Sequence, residues 1–315
     1  MFENKTICIT GGTGSLGNAL VAELLKHEPK EIRIFSRDEE KQLDMHRKFA
    51  SPKLKFIVGD IRDTEALNNA MEDVDVLYHT AALKIIPVCE EYAMESIKTN
   101  LLGSLNVKKS ALKYHVKVAV FVSTDKAVQP INIYGACKMI AERMWVQTGS
   151  PFCAVRYGNV IGSRGSIIPL FKALIEKKQP IPITHPEMTR FLLTLKKATE
   201  IVFYATENMM GGEVFVPKLP ACNIVDLPKV LSIEKDTDGY RHYEQSDYPI
   251  MFTGIRAGEK MHEILICKDE FRRTEDRGNY YVIHPHGQYS SEISEYSSEN
   301  TSKLNLLELG ALLEE

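Results

Sequence analysis

From residue 5 onward the chain alternates between two hydrophobic periods. KTICIT, EIRIFSR, LKFIVGD and VDVLYHTA are apolar, β-branched runs of strand length, and SLGNALVAELLKH, EEKQLDMHRKF and ALNNAM between them have helical spacing. Such alternation predicts parallel βαβ units. Helical segments around residues 95–114, a strand VKVAVFVST, a helix from Tyr134 to about Thr148 and a strand FCAVRYGNV continue it. The expected architecture is α/β, with about six strands in one doubly wound parallel sheet.

Beyond Val160 the rhythm breaks into GSRGSIIP, a helical PLFKALIEKK and a proline-rich QPIPITHPEM, before a helix and strand return in LKKATEIVFYATENMMGGEVFV. That unit is assigned to the main sheet. From about Pro220 the chain reads as a smaller mixed α/β lobe, ending in a polar stretch and a short leucine-rich helix. The expected division is therefore a nucleotide-binding domain over 1–165 and 190–219, with a substrate lobe over 166–189 and 220–315. A length of 315 residues suits one such core with an appendage.

Composition narrows the ligands. Lysine and arginine total 39 against 42 acidic residues, for a net charge of −3, and no long basic run points to nucleic acid or an anionic membrane. An anionic ligand must be held by a few placed cations. The six cysteines are scattered, and neither they nor His185 and His262 have metal-ligand spacing, so no metal is expected. With no run of about 18 apolar residues and too short an apolar N-terminal run for a signal peptide, a cytoplasmic protein is expected.

TGGTGSLG sets Gly11, Gly12, Gly14 and Gly17, with Thr13, Ser15 and Leu16, between the first strand and the first helix. Glycines there allow a tight turn and close approach of backbone to a pyrophosphate at the helix N-terminus, the dinucleotide signature of a Rossmann fold. At the tip of the second strand, Ser36-Arg37 stands where NAD-specific folds carry an acidic residue. Arg37, with Lys41 one helical turn on, suits the 2′-phosphate of NADP, although Asp38 lies between them. Asp60 and Ile61 end the third strand, where they can edge the adenine, or Asp60 can cap the next helix. Ala81, Ala82 and Lys84 of TAALK reach the carboxyl edge of the sheet, where ligands bind in such folds.

Tyr134 and Lys138 share one helix face at i and i+4. An ammonium beside the phenol favours the phenolate, which can take an alcohol proton during oxidation, with Thr124 or Ser123 orienting the same hydroxyl. Asp125 and Lys126 read two ways: a second acid/base pair, or a turn residue and a surface charge in the loop marked by Pro130.

The glycine turn, Ser123/Thr124, Tyr134 and Lys138 resemble the extended short-chain dehydrogenase/reductase family. SRDEEKQ, TAALKIIPVCE, IKTN, STDKAVQPINIYGACK, RYGNVIGSRGSIIP, MTRFLLTL and GEKMHEIL are similar, more closely, to its polysaccharide-biosynthesis branch, which contains the inverting UDP-N-acetylglucosamine 4,6-dehydratases. The resemblance implies oxidation at C4 of the sugar by NADP, elimination of water across C5 and C6, and return of the hydride to C6. Tyr134 and Lys138 would handle the redox steps, Lys126 the C5 proton and Asp125 the proton at O6. A basic Lys126 requires a pKa lowered by a desolvated, cation-rich site, with Lys138 nearby. Asn100 of IKTN joins the cofactor residues, and Lys84, Asn159, Arg164, Arg190, Arg256 and Glu259 are implied for the UDP-sugar. Related proteins form dimers or hexamers, so a homo-oligomer is expected. Two other readings remain open: a nucleotide-sugar C4 epimerase, which needs no elimination pair, and a non-catalytic NADP-binding regulator.

Overall fold

The computed structural model describes residues 1–233, 248–290 and 294–314. Part of the expected lobe, residues 234–247, thus lies outside the described residues. Strands β1 (Thr6–Thr10), β2 (Glu31–Ser36), β3 (Leu54–Val58), β4 (Val76–His79), β5 (Val118–Val122) and β6 (Cys153–Val155) pair in parallel in the order 3-2-1-4-5-6. Every residue of β1 and β4 is buried, as expected for strands covered by helices on both faces. The chain order reverses between β1 and β4, the switch point at which such sheets bind ligands.

Further short strands follow: β7 (Asn159–Val160), β8 (Ile181–Ile183), β9 (Thr189–Leu193), β10 (Val214–Pro217), β11 (Ala221–Asn223), β12 (Ile250–Phe252), β13 (Ile264–Ile266), β14 (Thr274–Asp276), β15 (Tyr280–Ile283) and β16 (Tyr296–Ser297). β10 adds in parallel beyond β6, and the antiparallel β15 and β14 complete a sheet of nine strands among the described residues. Residues 274–283, which the sequence places in the lobe, thus extend the main sheet. Val282 and Ile283 are buried there, and their burial against Val214 and Phe215 outweighs their distance along the chain.

FCAVRYGNV, expected as one strand, splits into β6 and β7. Arg156 at the break turns into a buried ion cluster, and a Cβ on Gly158 would stand 2.4 Å from Phe191, so the backbone lies flush against β9. β7, β9 and β11 form a separate sheet. A second apolar core gathers Phe171, Ile183, Met188, Leu192, Ile224, Leu227 and Leu309. Leu309 comes from the helix Leu306–Glu314, so the leucine-rich tail packs into the lobe.

Helix starts follow local chemistry. Asp38 accepts from the Lys41 amide, Asp63 from Glu65 and Ala66, and Asn132 from Gly135 at the head of the helix Ile133–Trp145. The segment read as helical around residues 95–114 contains a π-helical turn, Ile97–Gly103, which places the Asn100 side chain on the Leu83 main chain. Among the described residues no helix is long and apolar enough to cross a membrane.

Candidate active site

The turn after β1 is shaped for close backbone packing. Gly11 has φ +70°, and a Cβ there would stand 2.7 Å from Ala81. At Gly17 a Cβ would stand 2.2 Å from the Gly12 carbonyl oxygen, so the helix Ser15–Leu24 can rest on the turn only if residue 17 is glycine. Gly14 caps that helix without a side chain, which leaves its N-terminal amides to face a cleft of about 580 Å³. The cleft opens at the β1/β4 switch point, and Thr13, Ser15, Leu16, Ser36, Arg37, Lys41, Asp60, Ile61, Ala81, Ala82 and Lys84 line it together with Gly11, Gly14 and Gly17. An open helix N-terminus, a glycine cradle and flanking cations fit a dinucleotide diphosphate.

Several side chains are engaged differently from expectation. Arg37, about half exposed, lies 3.7 Å from Asp60. Lys41 is bound by Asp38 rather than standing free beside Arg37, because Asp38 caps the helix that carries it. Asp60 does not cap a helix; Asp63 does, and Asp60 pairs with Arg62 at 2.7 Å. Asn100 is buried and spends its amide on both main-chain groups of Leu83, so it braces the loop after β4 and does not line the cleft. Arg164, expected at the sugar, lines this cleft, and its amide donates to Ser15 Oγ over the glycine turn.

At the reacting end, Tyr134, Lys138, Thr124 and Lys126 line the same cleft. Burial pushes the Tyr134 phenol up to about 12, against the pull of the Lys126 charge and a Thr124 hydrogen bond. Lys138, expected beside that phenol, makes its contacts elsewhere. Its ammonium donates to the Val122 carbonyl and stands 3.9 Å over the Phe121 ring, and burial pushes its pKa down to about 7.

Lys126 corrects the expectation of a lowered pKa. Its Nζ lies 3.0 Å from Asp125 Oδ1 and 3.4 Å from Glu263 Oε1. Burial disfavours its charge, yet these two carboxylates outweigh burial and hold the lysine above its ordinary value. The site around Lys126 is therefore not simply cation-rich. Asp125 moves the other way for a carboxylate: complete burial raises it, opposed by Lys126 and reinforced by Glu263. Thr124 Oγ1 donates to Asp125 Oδ1 at 2.8 Å, which fixes the carboxylate.

A smaller cavity of about 180 Å³ adjoins, and Lys126 and Asn159 line both spaces. Arg190, Arg256, Glu259 and Glu263 share its wall. Asn159 Oδ1 is buried without a partner among the described residues, as suits a group awaiting a ligand donor. Arg256 lies 3.4 Å from Glu259 and is mostly exposed. Arg190 is buried and donates to the carbonyls of Thr189, Lys260 and Met261, so much of its donor capacity is structural.

Two groups escaped sequence reasoning. Glu263, in the GEKMHEIL stretch, reaches Lys126 from far along the chain. Arg156 is buried between Glu142, one turn beyond Lys138, and Glu270, with four guanidinium contacts of 2.5 to 2.8 Å. Among the described residues no cluster of three or more His, Cys, Asp or Glu is arranged to hold a metal.

The sequence from residue 7 to residue 285 matches the model of the polysaccharide biosynthesis protein family. The chain belongs to that family. A Rickettsia bellii protein named UDP-glucose 4-epimerase is 44% identical to this family member over 99% of the chain and 96% of its own length. The X-ray structure of Pen from Bacillus thuringiensis superposes with a TM-score of 0.91 at 35% identity, covering 99% of this chain and 98% of that one. A dTDP-glucose 4,6-dehydratase from Streptomyces venezuelae, solved with NAD and TYD bound, shares the fold at 21% identity and a TM-score of 0.66, over 79% of this chain and 88% of that one. The family member thus shares its sequence with a protein named as a nucleotide-sugar epimerase and its fold with a nucleotide-sugar dehydratase.

Proposed function

We propose that this enzyme is a C5-inverting 4,6-dehydratase of UDP-N-acetylglucosamine that forms the L-arabino 4-keto-6-deoxy sugar and recycles NADP within each turnover. The observation that carries this reading is Lys126 on the same cleft as Tyr134, with the fully buried Asp125 3.0 Å from its ammonium. An alcohol oxidation needs the tyrosine alone; an elimination needs an acid and a base as well.

The glycine turn, Ser36, Arg37, Lys41 and Lys84 would hold the dinucleotide. When bound, it supplies reversible two-electron oxidation and reduction of the sugar. Tyr134 takes the proton of the C4 hydroxyl, which its high pKa permits once cations and the ligand favour the phenolate. A ketone at C4 acidifies the C5 proton. Proton transfer along the 3.0 Å bond converts the ammonium and carboxylate into an amine at Lys126 and a carboxylic acid at Asp125. The amine then takes the C5 proton while the acid protonates O6, the C6–O bond breaks and water leaves. Both groups return to their starting charge. Burial of Asp125 favours the protonated acid in this exchange.

Asn159, Arg256 and Lys84 are the groups best placed for the nucleotide diphosphate, with Arg164 over the cofactor side. Exposed Val88, Tyr92, Met94 and Ile140 support association between copies. A cytoplasmic site of action follows from the nucleotide-sugar substrate.

A second reading, C4 epimerisation, draws support from the name of the Rickettsia bellii relative and from the charged state of Lys126. Mass spectrometry of the product separates the two. A dehydratase yields a nucleotide sugar lighter by one water, whereas an isomer of unchanged mass would support the epimerase.

A further inference from the structure

We infer that Glu263 is a positioning residue that controls Lys126: a buried carboxylate, delivered by the C-terminal segment, shares the lysine ammonium with Asp125 and keeps its proton in place. This rests on the dehydratase reading. Glu263 is 2% exposed, and three elements fix it: its amide donates to Ser298 Oγ at 2.9 Å, Arg190 of β9 lies 3.8 Å from Oε1, and Lys260 lies 4.0 Å from Oε2. Oε2 is buried with no hydrogen-bond partner among the described residues, and Glu263 is part of the smaller cavity's wall. The charged and titratable groups around Lys126 are Asp125, Glu263, Arg190, Lys260 and Tyr134.

A carboxylate with one oxygen on a lysine and the other unused is costly to bury. Fold alone does not require it, since Arg190 already has three carbonyl partners. Its effect on the elimination pair is direct. At 3.4 Å, Glu263 stabilises the ammonium and resists transfer of its proton to Asp125. The C5 base is thereby masked until a sugar enters, which orders oxidation before proton abstraction. Arg190, 3.8 Å from the same Oε1, and Lys260, 4.0 Å from Oε2, compete with Lys126 for the carboxylate and can draw it off the lysine.

The expected consequence runs against the usual effect of removing a buried site carboxylate. Glu263→Gln should shift the pH dependence of C5 proton exchange to lower pH by at least about one unit, because a neighbouring negative charge no longer holds the ammonium. The measurement is deuterium incorporation at C5 of UDP-N-acetylglucosamine, followed by NMR across a pH series in deuterated buffer, with the full-length enzyme and its bound cofactor. Glu263→Asp, whose carboxylate stands one methylene further back, should shift the same way by less, and it carries the test if the Gln variant fails to fold. Profiles of the folded variants that coincide with wild type, or that move to higher pH, overturn the role of Glu263. If the wild type exchanges no deuterium at C5 at any pH, the dehydratase reading itself fails, an outcome distinct from an unshifted variant.

Discussion

Lys138 Nζ stands 3.9 Å over the Phe121 ring, and it is buried with no carboxylate within ion-pair distance among the described residues. This lysine therefore occupies the floor of the cofactor cleft at a cost to the fold. Burial lowers its folded pKa to about 7, below the usual lysine value, so the unfolded chain binds the extra proton between about pH 7 and pH 10.5. Stability rises with pH across that window and is lowest below it. Lys138→Met is expected to raise the midpoint of thermal unfolding of cofactor-free protein at pH 6, by a few kcal/mol in free energy, with the gain vanishing toward pH 10. Paired melting curves at the two pH values check this. An equal effect at both would mean that the charge is not the cause.

Tyr134→Phe removes only the phenolic oxygen of a side chain that is 8% exposed. The variant should keep its fold and its bound nucleotide while losing nearly all turnover, a fall of about 10²-fold or more. Near-normal kcat would assign the C4 hydroxyl proton to another group.

The cofactor end makes its own prediction. Nucleotide released on denaturation should have the mass of NADP, and Arg37→Asp should reduce its retention while sparing NAD, because a partner of the 2′-phosphate becomes a repelling charge. Release of NAD alone from the wild type would contradict the assignment. Gly17→Ala should abolish retention of either nucleotide, since the new methyl carbon would stand 2.2 Å from the Gly12 carbonyl oxygen.

Arg156 ties the helix that carries Tyr134 and Lys138 to the segment after β13. Arg156→Met leaves Glu142 and Glu270 buried without their cation and should cost about 3–5 kcal/mol of stability. Burial works against the Glu270 charge, but Arg156 outweighs it and holds the carboxyl down at about 2. A depressed carboxylate contributes stability that is present above its unfolded pKa, near 4.5, and is lost as pH falls from there toward 2. Urea titrations at pH 7 and pH 3 should show a smaller gap between variant and wild type at the lower pH.

The parts of this molecule that were legible in the sequence are those that local chemistry decides. Alternating periods marked β1 to β6, the glycine turn marked the cofactor end, and the i,i+4 spacing of Tyr134 and Lys138 placed both on one helix. Contacts between distant segments were not legible. GEKMHEIL gives no sign that Glu263 meets Lys126, and RYGNV does not reveal that Arg156 turns inward to Glu142 and Glu270. The charge state of Lys126 departs from expectation because two carboxylates raise its pKa, the adjacent Asp125 first and Glu263, from another part of the chain, second. β14 and β15 likewise join the main sheet through burial against β10, which no local pattern announces.

Elimination at C5 and C6 with inversion is the step that distinguishes this enzyme from an epimerase. Its most direct test is proton NMR of purified enzyme with UDP-N-acetylglucosamine in deuterated water. The predicted spectrum gains a C6 methyl signal with deuterium at C5 and the L-arabino configuration. A UDP-N-acetylgalactosamine spectrum with no methyl signal, or a D-xylo product, would contradict it.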